Sequence, residues 1–239
     1  MRVEDVVILC GGRGTRLQER TQEIPKPLVE VGERPILWHV IRIYAAQGFK
    51  RFWIASGYKG ELIEQFVDGE RWPDGADVRC VDTGLDTPTG GRINKLEELL
   101  GGREFCATYG DGVADVDLRE LVGYHRAGGV TATMTVVRPT LPFGITELVG
   151  NGRVSGFREK PRSEHWINGG FFCFEPDVFE RLEDDSILER APLEGLASSG
   201  QLRGYRHTGF WKCMDTYKDA VELNDLWAEG RAPWRVWDP

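Results

Sequence analysis

The sequence predicts an α/β fold, a Rossmann-like, mixed and mainly parallel sheet flanked by helices, on three observations. Short apolar runs alternate with helical patterns through the first half of the chain, the rhythm of strand–helix–strand units. Several of those runs pass straight into glycines, as strands do where an open α/β sheet meets a ligand crevice. After about residue 127 the character changes to Thr- and Val-rich segments and a hairpin signal, so the second half is expected to form a smaller lobe of the same domain.

The elements follow in order. Val6–Leu9 is the first strand. Pro35 suits the start of a helix, because its fixed φ is helical and the first turn has no use for its missing N–H. Ile36, Leu37, Val40, Ile41 and Tyr44 follow at helical spacing, and Gly48 fits the stop. Phe52–Ala55 is a strand, Glu61–Phe66 a short helix, Val78–Val81 a strand, and Lys95–Leu100 a helix closed by Gly101 and Gly102. Phe105–Tyr109 and Leu118–His125 complete the alternation. In the second half Val130–Val137 has strand composition. Gly144–Val149, the turn Gly150-Asn151-Gly152 and Arg153–Phe157 form a hairpin pattern. Phe171–Phe174 is a further strand, and Pro176–Leu182, Leu193–Ser198 and Tyr217–Ala228 read as helices. Nothing resembles a linker or a repeat, so one domain over 1–239 is expected.

Composition excludes several classes. A hydrophobic content of 41% supports a sizeable core, while a formal charge of -8 leaves no basic stripe for nucleic acid. No apolar run approaches the roughly 20 residues that span a bilayer. The N-terminus lacks the basic, apolar and small-residue order of a signal peptide. The five cysteines are odd in number and widely spaced, so free thiols in a reducing cytoplasm are expected. The four histidines form no metal-ligand spacing, and His39 is expected to be structural.

The chemistry gathers at strand exits. Leu9-Cys10-Gly11-Gly12-Arg13-Gly14-Thr15-Arg16 follows the first strand, with Pro25-Lys26-Pro27 beyond it. Glycines let the backbone approach a ligand, successive N–H groups suit phosphate oxygens, and Arg13, Arg16 and Lys26 bring charge against an acidic background. The loop is not a P-loop, because Gly14 is followed by Thr15-Arg16 rather than Lys-Ser/Thr. It is not the dinucleotide fingerprint either, because Leu17 occupies the third glycine position. Asp111, in Tyr109-Gly110-Asp111-Gly112, is a turn residue or a metal ligand. Asp215 is a helix N-cap or a second metal ligand. Lys160, in Arg158-Glu159-Lys160-Pro161, is a solvated strand end or a phosphate contact. Asn168-Gly169 is a turn or a sugar contact, and Thr87–Arg92 is a flexible loop or a base-reading one.

Taken in order, these segments resemble the sugar-1-phosphate nucleotidyltransferases, from about Val6 to Trp237. Leu-Cys-Gly-Gly-Arg-Gly-Thr-Arg-Leu (9–17), Pro-Lys-Pro-Leu (25–28), Tyr-Gly-Asp-Gly (109–112), Glu-Lys-Pro (159–161) and Met-Asp-Thr (214–216) carry the likeness. Thr-Gly-Gly-Arg (89–92) and Ile-Asn-Gly-Gly (167–170) favour the cytidylyl branch. The resemblance implies the nucleotide-diphospho-sugar transferase fold, with a nucleotide-binding part over about 1–127 and a sugar- and metal-binding part over about 128–239. It implies that Leu9, Gly11, Gly12, Gly14 and Thr15 hold the nucleotide, with Gly90 and Gly91 near the base. Arg16 and Lys26 would be catalytic, Arg16 also contacting the triphosphate. Asp111 and Asp215 would hold Mg²⁺, Asp111 also lying against the nucleotide. Lys160, Glu159, Asn168, Gly169 and Gly144 would hold the sugar phosphate. The expected reaction joins a nucleoside triphosphate to a sugar 1-phosphate and releases pyrophosphate. CTP and glucose 1-phosphate are the expected pair, in a homo-oligomer without nucleic-acid or membrane partners. Another nucleotide or sugar, a catalytically inactive regulatory subunit and a nicotinamide oxidoreductase are the alternatives. Two features depart from the family: Cys10 replaces the usual Ala, and the segment between Phe66 and Asp82 is short.

Overall fold

A computed structural model of the protein describes residues 3–14 and 23–237. Its strands are β1 (Asp5–Leu9), β2 (Glu30–Val31), β3 (Arg34–Pro35), β4 (Arg51–Ser56), β5 (Asp77–Asp82), β6 (Phe105–Tyr109), β7 (Gly112–Ala114), β8 (Ala132–Val137), β9 (Ile145–Val149), β10 (Arg153–Arg158), β11 (Ile167–Phe174), β12 (Leu202–Arg206) and β13 (Trp211–Cys213). The described helices are α1 (Ile36–Ala45), α2 (Gly60–Gly69), α3 (Thr89–Asn94), α4 (Glu97–Leu100), α5 (Leu118–Gly128), α6 (Ala191–Ser198) and α7 (Tyr217–Ala228). Seven strands form one sheet in the order β12-β8-β11-β6-β1-β4-β5. Every neighbouring pair is parallel except the two made by β11, which runs antiparallel to β6 and β8. This is the mixed, mainly parallel sheet expected.

Burial explains why the first-half strands are continuous apolar runs. All five residues of β1 are buried. Val6 and Ile8 belong to the core on one face, Val7 and Leu9 to the core on the other, so both faces are covered by helices. The chain steps outward from β1 to β4 and β5, then crosses back to β6 on the other side of β1. That reversal opens a crevice at the carboxyl ends of β1 and β6. Most of the second half is continuous with this sheet through β8, β11 and β12. The hairpin β9–β10, with its exposed Phe143, Leu148 and Phe157, stands off it.

Several elements differ from expectation, the short strands β2, β3, β7 and β13 among them. The stretch Thr87–Arg92 is not a loop throughout, since α3 begins at Thr89 and contains Gly90 and Gly91. Two glycines oppose a helix, but packing requires them. A Cβ on Gly91 would overlap the Asp184 carbonyl oxygen, and one on Gly90 would lie 2.8 Å from the Ser186 carbonyl oxygen. Pro176–Arg181 forms a 3-10 turn. Strand β12 had no apolar signal because it is a half-exposed edge.

The C-terminal segment is pinned through His39, which proves structural as expected. Trp234 is fully buried, stacks near Trp227 and Phe210, and donates its indole N–H to His39 Nδ1 at 3.3 Å. His39 Nε2 donates to the Val31 carbonyl at 2.9 Å. Both ring nitrogens are therefore used by the neutral imidazole. Burial draws its pKa down to about 4, only partly offset by the hydrogen bond to Val31.

Two stability effects follow. Trp234→Ala is expected to cost about 3–5 kcal/mol, read by denaturant unfolding; a loss below about 1 kcal/mol would exclude the anchoring role. Because His39 resists protonation when folded, its contribution is complete above pH 6.5 and is lost as pH falls toward 4, by on the order of 3 kcal/mol. His39→Gln should flatten unfolding free energy over that range relative to the wild type, and an unchanged slope would rule the linkage out.

Candidate active site

The exit of β1 is held from three sides. Cys10 donates its N–H to the Ala55 carbonyl at 2.9 Å, Gly110 donates to the Leu9 carbonyl at 3.1 Å, and Tyr58 donates to the Gly11 carbonyl at 3.2 Å. Beneath the loop lies Arg92, 4% exposed, whose guanidinium meets no carboxylate among the described residues. It donates instead to the carbonyls of Ser56, Gly84, Gly11 and Leu85 and to the Thr83 hydroxyl, at 2.6–3.3 Å. Burial lowers its pKa below the ordinary arginine value. One side chain thus ties together the ends of β1, β4 and β5.

The adjacent glycines of the loop differ in kind. A Cβ on Gly11 would collide with the Arg92 guanidinium, so Gly11 is demanded by packing. Gly12 is exposed with nothing within 4 Å of a Cβ position, and Gly14 has φ 61°. Gly12 therefore leaves open space where a side chain would stand at the cavity, while Gly14 adopts a conformation that favours glycine. Thr15 and Arg16 lie outside the described residues. Arg13 lies 2.9 Å from Asp86, in an exposed and weak pair.

The cavity that this loop borders measures about 420 Å³. Leu9, Gly11, Gly12 and Gly14 form one side, Thr87, Pro88 and Thr89 another, and Lys26, Asp111 and Asp215 the floor. Gly90 and Gly91 sit just behind Thr89 and are buried against the 184–188 segment. Tyr109 closes the wall. Its hydroxyl donates to Glu189, which also accepts from Thr89, and it accepts from Asn168 Nδ2 at 3.3 Å.

At the floor, Lys26 Nζ lies 2.6 Å from Asp111 Oδ2 and 2.6 Å from Asp215 Oδ1. Burial opposes the ammonium, but the two carboxylates more than compensate and raise its pKa. The approach of two distant segments has a backbone cause. Strands β7 and β13 pair, with Gly112 opposite Cys213, and Met214 donates its N–H to the Asp111 carbonyl at 2.9 Å. Asp215 is not the helix cap that it could have been. Thr216 caps α7 in a reciprocal box with Asp219, which leaves the Asp215 carboxylate for the site. Cys213 completes the cluster, its ligand atom within 4.8 Å of those of both aspartates. Burial and then the charge of Asp111 push its thiol pKa up, so it stays protonated.

A second cavity, about 200 Å³, opens beyond the aspartates between Tyr109, Asn168, Gly169 and Cys213. Asn168 lies at an irregularity in β11, where its Oδ1 accepts the Gly170 N–H at 2.8 Å. Gly169 is held by Trp211, whose indole N–H donates to its carbonyl at 2.7 Å. A third groove, about 1000 Å³, carries Arg138, Lys160, Arg162 and Lys212 toward Asp215. Asp111 borders two of these spaces and Asp215 all three. Gly144 and Glu159 lie together on the exposed hairpin, where a Cβ on Gly144 would stand 2.9 Å from the Glu159 carboxylate. In the sequence Arg92 is visible only as the last residue of Thr-Gly-Gly-Arg, and nothing there signals the Tyr109–Glu189–Thr89 link.

Comparison with known proteins gives the family. The nucleotidyl transferase family model matches residues 5–215. The chain is 40% identical to the probable glucose-1-phosphate cytidylyltransferase of Bacillus subtilis (strain 168), over 97% of this chain and 99% of that one. It is equally similar, at 40% and the same shares, to the glucose-1-phosphate cytidylyltransferase of Salmonella typhi. Its fold is similar to that of HddC from Yersinia pseudotuberculosis, with TM-score 0.75 at 22% identity, covering 94% of this chain and all of that one. The chain belongs to the nucleotidyl transferase family, as its ordered motifs implied.

The two glycines should therefore respond differently. Gly11→Ala is expected to destabilise by about 2–4 kcal/mol, by overpacking and by stripping buried carbonyls of Arg92. Gly12→Ala should stay within about 0.5 kcal/mol. Equal losses in denaturant unfolding would contradict the packing assignment.

Proposed function

We propose that the protein joins CTP and glucose 1-phosphate, giving CDP-glucose and pyrophosphate. The observation that carries this reading is the position of Asp111 and Asp215 at the shared edge of a glycine-walled cavity and a second, smaller one. Two phosphorylated substrates entering from opposite sides would meet there. The two relatives at 40% identity support the choice of base and sugar.

In this reading Gly11, Gly12 and Gly14, with Thr15 and Arg16, receive the triphosphate, and Leu9, Gly90 and Gly91 shape the nucleotide side. Asn168, Gly169, Lys160, Glu159 and Gly144 serve the sugar phosphate. A phosphate oxygen of glucose 1-phosphate attacks the α-phosphorus in line. The new O–P bond forms as the bond to the β-phosphate oxygen breaks, and pyrophosphate leaves with that electron pair. No protein nucleophile is required, so catalysis rests on positioning and charge.

Asp111 and Asp215 suit Mg²⁺. They offer hard oxygen donors, and both already converge on one cation, the Lys26 ammonium. Mg²⁺ held there would offset the phosphate charge. Lys26 stays charged at physiological pH and would stabilise charge at the reacting phosphates. The meeting of Lys26, Asp111 and Asp215 speaks against an inactive regulatory subunit. We place the protein in the cytoplasm as a homo-oligomer. No described helix is long and apolar enough to cross a membrane.

With Mg²⁺, glucose 1-phosphate and each nucleoside triphosphate in turn, pyrophosphate release should be fastest with CTP; release with another nucleotide alone would overturn the base assignment. Chelation should abolish turnover and Mg²⁺ restore it. Lys26→Ala should lower kcat by about 100-fold or more, and Asp111→Asn should lose metal-dependent turnover with the fold intact. Near wild-type kcat in either variant would exclude the assigned role.

A further inference from the structure

We propose a second metal site, for a zinc-class divalent ion, formed by Glu104, His125 and Glu175 at the opposite end of the sheet from Asp111. Topology makes the site. Glu104 immediately precedes β6 and Glu175 immediately follows β11, and these strands are antiparallel with Phe105 opposite Phe174. The two carboxylates therefore leave the same edge side by side. His125, from α5, is buried at 1% exposure. The three ligand atoms, one from each residue, lie within 4.8 Å of one another.

The imidazole points to a metal rather than to a simple hydrogen bond. His125 Nδ1 lies 2.9 Å from the Thr133 hydroxyl, which can accept the Nδ1 proton and leave Nε2 as a bare lone pair. Nε2 is fully buried and has no hydrogen-bond partner among the described residues. Its distance to Glu175 Oε1 is 3.6 Å. That is too long for a hydrogen bond, but near the ligand–ligand edge of about 3.3 Å that zinc distances imply for a tetrahedron. Glu104 is oriented as a metal-binding carboxylate is. Arg126 holds its Oε2 through Nη2 at 2.8 Å and Nε at 2.9 Å, while Oε1 has one longer contact, at 3.2 Å from Nε. One imidazole and two carboxylates match zinc-type coordination better than the all-oxygen shell of Mg²⁺.

The test uses Zn²⁺ alone as probe on the full chain, stripped of metal and kept in excess Mg²⁺. Wild-type protein should bind a Zn²⁺ equivalent by calorimetry, raise its Tm on binding, and shift the Nε2 signal of one histidine ring in a nitrogen spectrum. His125→Gln should remove that ring signal, and both His125→Gln and Glu175→Gln should weaken binding at least about 10-fold. Should His125→Gln fail to fold, Glu175→Gln decides, because its side chain is 41% exposed. Identical Zn²⁺ affinity and stoichiometry in wild type and Glu175→Gln, or a shift confined to another histidine, would overturn the site.

Discussion

The active-site end of the molecule depends on one three-charge contact, the Lys26 ammonium between the carboxylates of Asp111 and Asp215. The partners are separated by 85 and 189 positions in the chain. Two carboxylates drawn into a half-buried cleft repel each other, and a cation between them removes that cost. Lys26 itself is little exposed, so the attraction is not dissipated by water as it would be at the surface. The β7–β13 pairing fixes the two aspartates, and the crevice at the ends of β1 and β6 supplies the space around them. In the proposed reaction the same pair of acids would hold Mg²⁺.

The antiparallel course of β11 organises the two ends of the molecule. Parallel strands present only their carboxyl ends to a crevice. By running the other way, β11 brings its beginning, Asn168 and Gly169, to the carboxyl end of β6. The second half can therefore face the first across Asp111 while sharing its sheet. The same reversal sends the end of β11 to the far edge, where Glu175 meets Glu104.

What could be read from the sequence follows burial. Strands β1, β4 and β6 are apolar runs because both their faces are covered, and that signal is local. Helix α3 was hidden because its glycines are dictated by a chain segment about ninety residues away. Lys26, Asp111 and Asp215 were visible as polar residues at strand exits and before a helix. Their convergence depends on a short pairing of β7 with β13 that neither sequence announces. Gly11 was read as a ligand contact, and it does border the cavity, yet the structural reason for glycine there is Arg92. Spacing along the chain gave no hint of the cluster at His125, because its three residues come from elements joined only by the sheet.

The contrast between Gly11 and Gly12 separates what can be redesigned from what cannot. Gly11 and Arg92 form one unit, so a graft of this loop onto another scaffold must carry both. At Gly12 the protein has spare room: a larger residue there would extend into the cavity rather than into the core. Substitutions at that single position would change how closely the backbone can approach a ligand with the scaffold left alone, which gives directed evolution a place to begin that the fold will tolerate.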